Sequence, residues 1–327
     1  MRTVTLEEHF STPEAVKATT HLQSGSRAGW VASMRDKLLD LDKNRIAEMD
    51  AAGISVQVLS LVNCNMDKLE PAAATPLVRD ANDQLAAAVG KHPDRFAGFA
   101  ALALQDPKAA AAEFERCVCK LGFKGALVHG TVNGVFLDQP QFTPLFETAQ
   151  ALDVPVYLHP TPPVQPVQEA YYEGLPGSTG FLLSTAAWGW HAELGMHCLR
   201  LMVSGLFDRF PKLKIIIGHM GENLPFSIAR ADEILARGAG HLKRRVADYF
   251  HENFYLTTSG YFTVPPLLCA LQVTGADRIL FSVDHPFSPN AEAQRFLNSL
   301  PVSPEDLEKI AHGNADRLLK LCPSKSS

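Results

Sequence analysis

The chain has 327 residues, 46% of them hydrophobic, and a formal net charge of −5 from 30 Lys and Arg against 35 Asp and Glu. That is enough apolar sequence for a large core, and barrels of this size fold as one unit, so a single domain over 1–327 is expected. There is no basic block or Lys/Arg-rich tail, which argues against a nucleic-acid partner. No apolar stretch nears the ~20 residues that cross a bilayer, so no membrane is expected either.

The first residues enter a strand-like run directly, so no signal peptide is expected and the setting is read as cytoplasmic. A first strand near Val4–Leu6 runs on into Glu7-Glu8-His9. A helix over Asp36–Ala52 carries Leu38, Leu39, Leu41, Ile46 and Met49 and stops at Gly53, a residue suited to a left-handed cap. Strand Val56–Leu61 precedes a helix over Pro76–Lys91, which His92-Pro93 ends. Strand Phe96–Ala101 follows, and Asp106 can cap the helix that Pro107 begins. Strand Ala126–His129, helix Pro140–Leu152 and strand Val154–Leu158 come next. After a long connection there are helix Ala192–Leu206, strand Leu213–Ile217 and helix Glu222–Gly238. Strand Tyr255–Thr257, helix Pro265–Thr274, strand Ile279–Ser282 and helix Pro304–Leu321 complete the chain. The strands are continuous apolar runs, as expected when both faces are covered. Eight of them alternating with helices predict an α/β fold, a (β/α)8 TIM barrel.

The long connection after the fifth strand, about 160–190, is rich in Pro and Gly and carries Tyr171, Tyr172, Phe181, Trp188 and Trp190. Long irregular segments in compact domains are usually functional or disordered. Either a substrate-covering loop or an oligomer-contact arm fits it. The six cysteines, Cys64, Cys117, Cys119, Cys198, Cys269 and Cys322, form no CxxC pair and are read as small buried side chains in a reducing compartment.

Four of the strand ends carry chemistry. His9, His159, His219 and Asp284 each follow an apolar run, at the C-terminal edge where parallel α/β folds keep their sites. Glu7 and His9 are two apart, so alternation puts them on one face. If that face is the barrel interior, they converge with His159 and Asp284, and two His with two carboxylates suit Zn²⁺ or Mn²⁺.

The pattern resembles the amidohydrolase superfamily and, within it, the metal-dependent decarboxylase branch of the γ-resorcylate and 2,3-dihydroxybenzoate decarboxylases, relatives of aminocarboxymuconate semialdehyde decarboxylase. The resemblance is carried by LEEHF (Leu6–Phe10), RIAEMDAAGI (Arg45–Ile54), HPDRFAGFAAL (His92–Leu102), DVPVYLHP (Asp153–Pro160), GLFDRFPKLKIIIGHMGENLPF (Gly205–Phe226) and DRILFSVDHPF (Asp277–Phe287). It implies one divalent metal ion per subunit, Zn²⁺ or Mn²⁺, held by Glu7, His9, His159 and Asp284, with no organic cofactor. It puts His219 beside the substrate, hydrogen-bonded to Glu222 one turn into the next helix. It makes Arg45 and Arg230 candidates for binding a substrate carboxylate, with surface or inter-helix salt bridges as the competing reading. His129, His285 and Ser288 depart from the residues expected there, and His129 and His285 are candidate substrate contacts. His191, His197, His241, His251 and His312 have no comparable context and are read as structural or surface residues.

The activity implied is non-oxidative decarboxylation of a hydroxybenzoate-type aromatic acid by a homodimer or homotetramer, reversible at high bicarbonate. His219 or Asp284 would supply the proton to the ring carbon. The competing reading is a metal-dependent hydrolase of a lactone or amide on the same fold.

Overall fold

In the computed structural model, which describes residues 1–22, 25–62 and 66–321, strands β1 (Val4–Phe10), β2 (Val56–Leu61) and β3 (Phe96–Gly98) form one parallel sheet. A second parallel sheet holds β4 (Ala126–His129), β5 (Val156–His159), β6 (Ile215–Ile217), β7 (Phe254–Thr257) and β8 (Ile279–Leu280). Parallel bridges from Ala100 to Ala126 and from Glu8 to His285 join the two sheets at both edges. The strands therefore close in chain order, and the fold is the expected (β/α)8 barrel.

Helices α1 (Pro13–Thr19), α2 (Gly25–Leu39) and α3 (Lys43–Ala52) separate β1 from β2. Single helices α4 (Pro71–Lys91), α5 (Pro107–Leu121) and α6 (Thr143–Ala151) separate the next strands up to β5. Between β5 and β6 lie α7 (Gln165–Tyr172), α8 (Thr179–Ser184), α9 (Gly189–Val203) and α10 (Leu206–Arg209). Then come α11 (Leu224–Leu235) and α12 (Val246–Asn253), α13 (Val264–Thr274) after β7, and α14 (Asn290–Asn298), α15 (Pro304–Glu308) and α16 (Asn314–Leu319) after β8.

Each strand buries both faces. Leu127 and Ile216 point into the barrel with Val4, Leu6, Val58 and Phe99, and Ala315, Leu318 and Leu319 of α16 pack onto this inner cluster. The alternate residues Leu59, Val128, Leu158 and Ile217 pack outward with the helices. Each such side chain contributes roughly 1.5–3 kcal/mol on leaving water, which explains the unbroken apolar runs.

β1 departs from simple alternation. Thr5 pairs with Gln57 and Glu8 with Leu59, so β1 takes three steps where β2 takes two. This bulge changes the phase of the strand. Below it Val4 and Leu6 face the barrel, and above it Glu7 and His9 do. Ser282 fills the bulge, its Oγ accepting the N–H of Glu7 at 2.8 Å and that of Leu6 at 3.3 Å.

Three expected helices differ in detail. The one over 36–52 is interrupted after Leu39, where Asp40 Oδ1 accepts the N–H of Asp42 at 2.8 Å and turns the chain before α3. The one expected from Pro76 starts at Pro71, the proline that occupies its first turn, and Pro76 lies inside it. The C-terminal one contains a π turn over Lys309–Gly313, where the Ile310 carbonyl accepts the Phe281 N–H at 2.9 Å and so continues the hydrogen bonding of β8. The 160–190 connection carries two short helices, α7 and α8. Cys117, Cys119, Cys198 and Cys269 are free thiols; Cys64 and Cys322 lie outside the described residues.

Candidate active site

The ligand atoms of Glu7, His9, His159 and Asp284 all lie within 4.8 Å of one another at the C-terminal ends of β1, β5 and β8. His159 Nε2 is 3.1 Å from Glu7 Oε1, and His9 Nε2 is 3.3 Å from Asp284 Oδ1. His219, from the end of β6, brings its Nε2 to 3.7 Å from Glu7 Oε1.

The outward-facing atoms of these groups are held. Tyr157 and Ser259 both donate to Glu7 Oε2, and Thr257 Oγ1 contacts each of them, at 2.9 and 2.8 Å. His159 Nδ1 donates to the Pro160 carbonyl at 2.8 Å, which turns the Nε2 lone pair toward the centre. His9 Nδ1 lies 3.3 Å from Ser60 Oγ. That leaves Glu7 Oε1 and His9 Nε2 buried, facing the centre, without a hydrogen-bond partner. Buried polar atoms are nearly always paired, so two orphaned lone pairs aimed at one point fit a cation. The donor set of imidazole nitrogen and carboxylate oxygen suits a divalent ion.

Gly218 makes room for this arrangement. A Cβ there would lie 2.6 Å from Glu7 Oε2. Immediately after it the chain turns sharply, with positive φ at His219 (49°), Met220 (56°), Glu222 (54°) and Asn223 (64°), and Asp284 has φ 74°. Backbone in this region costs roughly 1–3 kcal/mol per non-glycine residue, and such residues concentrate where function demands a particular side-chain direction.

Glu222 thus lies in the left-handed turn ahead of α11, not one turn into a helix. The turn brings its Oε1 to 2.6 Å from His219 Nδ1. Its Oε2 is 2.6 Å from Nδ1 of His191, which the sequence alone presents as a structural or surface residue. The signal that could have found His191 is its position directly after the long connection and its two tryptophans.

The charges are strongly coupled. Burial raises the Glu7 carboxyl, but the charges of His219, His159 and His9 outweigh it and hold Glu7 well below the usual carboxylate range. Burial and the charge of Glu7 push Asp284 up to about 8. Burial works against protonated His219, yet Glu222 and Glu7 raise it to about 10. Burial lowers His9 to about 4. Burial raises Glu222 and its two histidines lower it, leaving it at about 2.

The remaining predicted residues divide. His129 is in register with His159 on the neighbouring strand, their rings 4.9 Å apart, and it lines a cavity of about 50 Å³ with Leu61, Ala103, Leu127 and Val132. Arg45 is not brought to the cluster. It is buried on the Glu8 side of β1, where it donates to the carbonyls of His9 (2.6 Å), Asp40 (2.8 Å) and Lys37 (3.1 Å) and to Gln57 Oε1 (3.2 Å). Arg230 stands exposed on α11, paired with Glu233 at 2.9 Å, away from the site. His285 turns away too: its carbonyl accepts the His9 N–H at 2.7 Å, and its ring shares a small cavity with Arg45 and Glu48.

The segment after β5 lines a cleft with the segments that follow β2 and β4. Thr161, Gln165, Gln168 and Phe181 face Lys68 and Asn133, from the β2 and β4 ends, across a cleft of about 580 Å³.

An amidohydrolase family model matches residues 20–321. A γ-resorcylate decarboxylase from Polaromonas sp. is 43% identical over 97% of this chain and 98% of its own length. A crystal structure of a 2,6-dihydroxybenzoate decarboxylase complexed with 2,6-dihydroxybenzoate is 41% identical with a TM-score of 0.88, covering 98% of this chain and 99% of that one. A dihydroxybenzoic acid decarboxylase from Polaromonas sp., with bound manganese and the inhibitor 2-nitroresorcinol, is 42% identical with a TM-score of 0.88, covering 98% of this chain and 97% of that one. The chain belongs to the amidohydrolase family, in the branch that holds the γ-resorcylate decarboxylases.

Proposed function

We propose that this chain is a metal-dependent, non-oxidative decarboxylase of a hydroxybenzoate-type aromatic acid. The observation that carries the reading is the convergence of Glu7, His9, His159 and Asp284, with two buried lone pairs aimed at their centre. These four would hold one divalent ion, and the manganese bound in a relative supports Mn²⁺. When bound, the ion would supply Lewis-acid charge to the oxygens of an acidic substrate.

The remaining chemistry falls to the chain. Direct loss of CO2 from an aromatic ring leaves an aryl anion, so the carbon bearing the carboxylate must first gain a proton. A new C–H bond forms, the C–C bond breaks, its electrons restore the ring, and CO2 leaves without any change of oxidation state in a cofactor. The proton would come from His219, whose Nδ1 is held by Glu222 at 2.6 Å, or from Asp284. Glu222 orients the His219 ring. His129, its ring 4.9 Å from that of His159, stands beside the cluster where a substrate would lie.

Among the described residues, no helix is long and apolar enough to cross a membrane. A cytoplasmic setting and a homo-oligomer belong to the same proposal. The free thiols support the first, and exposed Phe226, Tyr171, Leu182 and Trp188 support the second.

The test is to supply the metal-loaded protein with a panel of ortho-hydroxybenzoates, 2,6-dihydroxybenzoate among them, and follow CO2 release. Release is expected from at least one, and its loss in His219→Ala and after chelation. Silence across the panel from metal-loaded protein would turn the reading toward hydrolysis, with lactones as the next substrates.

A further inference from the structure

We propose that His191 is a positioning residue for His219, acting through Glu222 and tying the ring of His219 to the connection between β5 and α9. The Glu222 carboxylate is buried, and both its oxygens are taken, Oε1 by His219 Nδ1 and Oε2 by His191 Nδ1, each at 2.6 Å. His191 is itself 1% exposed and uses its second nitrogen, with Nε2 2.9 Å from the Ala186 carbonyl. A carbonyl only accepts, so Nε2 donates there. The contact between Nδ1 and Oε2 then needs a further proton on one of its two atoms. Tyr261 packs edge-on against both rings, with centroids 5.2 Å from His191 and 6.0 Å from His219.

The geometry gives His191 its purpose. Glu222 sits in a turn with φ 54°, followed by Asn223 with φ 64°, so the local backbone does not favour the position that its carboxylate occupies. A carboxylate held by one imidazole alone can rotate about its last torsion and take the His219 ring with it. A second short hydrogen bond on the other oxygen removes that freedom. Ala186 belongs to the connection between β5 and α9, three residues before the start of that helix. Movement of this connection therefore reaches His219 through two hydrogen-bonded side chains.

This inference rests on the proposed decarboxylase reading for its kinetic arm but not for its spectroscopic one. Three variants separate the two nitrogens of His191. His191→Asn puts an amide near the Nδ1 position and can still donate to Glu222. His191→Gln reaches the Nε2 position and can donate only to Ala186. His191→Phe keeps the ring without either bond. In the zinc-loaded enzyme carrying isotope-labelled histidine, the short Nδ1–H bond of His219 should give a far-downfield proton resonance. We expect it to shift in the Gln and Phe variants and to stay in place in the Asn variant. With a turned-over ortho-hydroxybenzoate, kcat should fall about tenfold or more in Gln and Phe, with KM changed less than about twofold, and Asn should restore most of it. The proposal is overturned if the His219 resonance is unmoved in both Gln and Phe, or if kcat in both stays within about twofold of the parent. An equal kcat loss in all three variants, following their melting temperatures, assigns His191 a purely structural role and overturns it as well. If no substrate is turned over by the parent, the functional reading fails while the resonances still decide this one.

Discussion

β1 and β5 both deliver two polar side chains to the same centre, and they do it differently. On β5, Tyr157 and His159 follow regular alternation from an inward-facing phase, and every pairing to β4 and β6 is in register. On β1, Val4 and Leu6 hold one phase and Glu7 and His9 the other, and a bulge filled by Ser282 reconciles them. A regular strand can place one layer of core and one layer of site only if both share a parity. A bulge releases that constraint, at the expense of ladder hydrogen bonds that side chains must replace. At the seam with β8, Ser282 Oγ and Glu8 take over that work, Glu8 Oε1 accepting the Val283 N–H at 3.0 Å.

The largest test of the comparison removes one proposed ligand from each strand. Glu7→Gln and His159→Ala should each lower bound metal and decarboxylation by more than the roughly 10–100-fold that losing an outer hydrogen-bond partner costs. Metal content per chain, measured beside CO2 release, checks this. Full metal in either variant would remove that residue from the ligand set.

Gly218→Ala should come next, because its Cβ would lie 2.6 Å from Glu7 Oε2 while the φ of −78° at Gly218 itself tolerates a side chain. Weaker metal binding by about tenfold or more, with the barrel still folded, is the expected result in a metal titration followed by circular dichroism.

Ser282→Ala probes the bulge itself. It strands the Leu6 and Glu7 N–H groups in a buried seam, which should cost about 1–3 kcal/mol in a denaturant titration. An equally conservative Thr257→Val, beneath the regular β5 hydroxyl, should cost less, because Tyr157 keeps its contact to Glu7. Equal losses would mean that the bulge is no more dependent on its plug than a regular strand on its neighbours.

At neutral pH the smallest effect lies away from both strands. His197 of α9 is fully buried and accepts the Leu137 N–H through Nε2, and burial holds it down at about 3 from an ordinary 6.5. A lowered histidine favours the neutral form in the folded state, so its share of stability is complete above about 6.5 and is lost as pH falls toward 3. One such proton changes stability by up to about 1.4 kcal/mol per pH unit in that window. His197→Gln should flatten the acid limb of the stability curve, seen in melts across pH, without altering metal content.

The sequence by itself determined the barrel. Doubly apolar runs such as Ile215–Ile217 and Val154–Leu158 can be satisfied only between two covered faces, and their alternation with helices orders them. It also marked His9, His159, His219 and Asp284, since a polar group that ends a buried strand stands at the barrel mouth whatever the local details. Three things were decided only by the tertiary structure. The parity of Glu7 and His9 depends on a bulge that no glycine or proline announces and that Ser282, 275 residues away from Glu7, completes. The outward turn of His285 and the burial of Arg45 against the His9 carbonyl depend on which face of a strand end meets a helix. The link from His191 through Glu222 to His219 joins residues 31 and 3 apart, across a left-handed turn that helix periodicity does not foresee. In each case the deciding partner comes from another strand or turn. Local propensity reports the period of a segment, and only packing reports its phase.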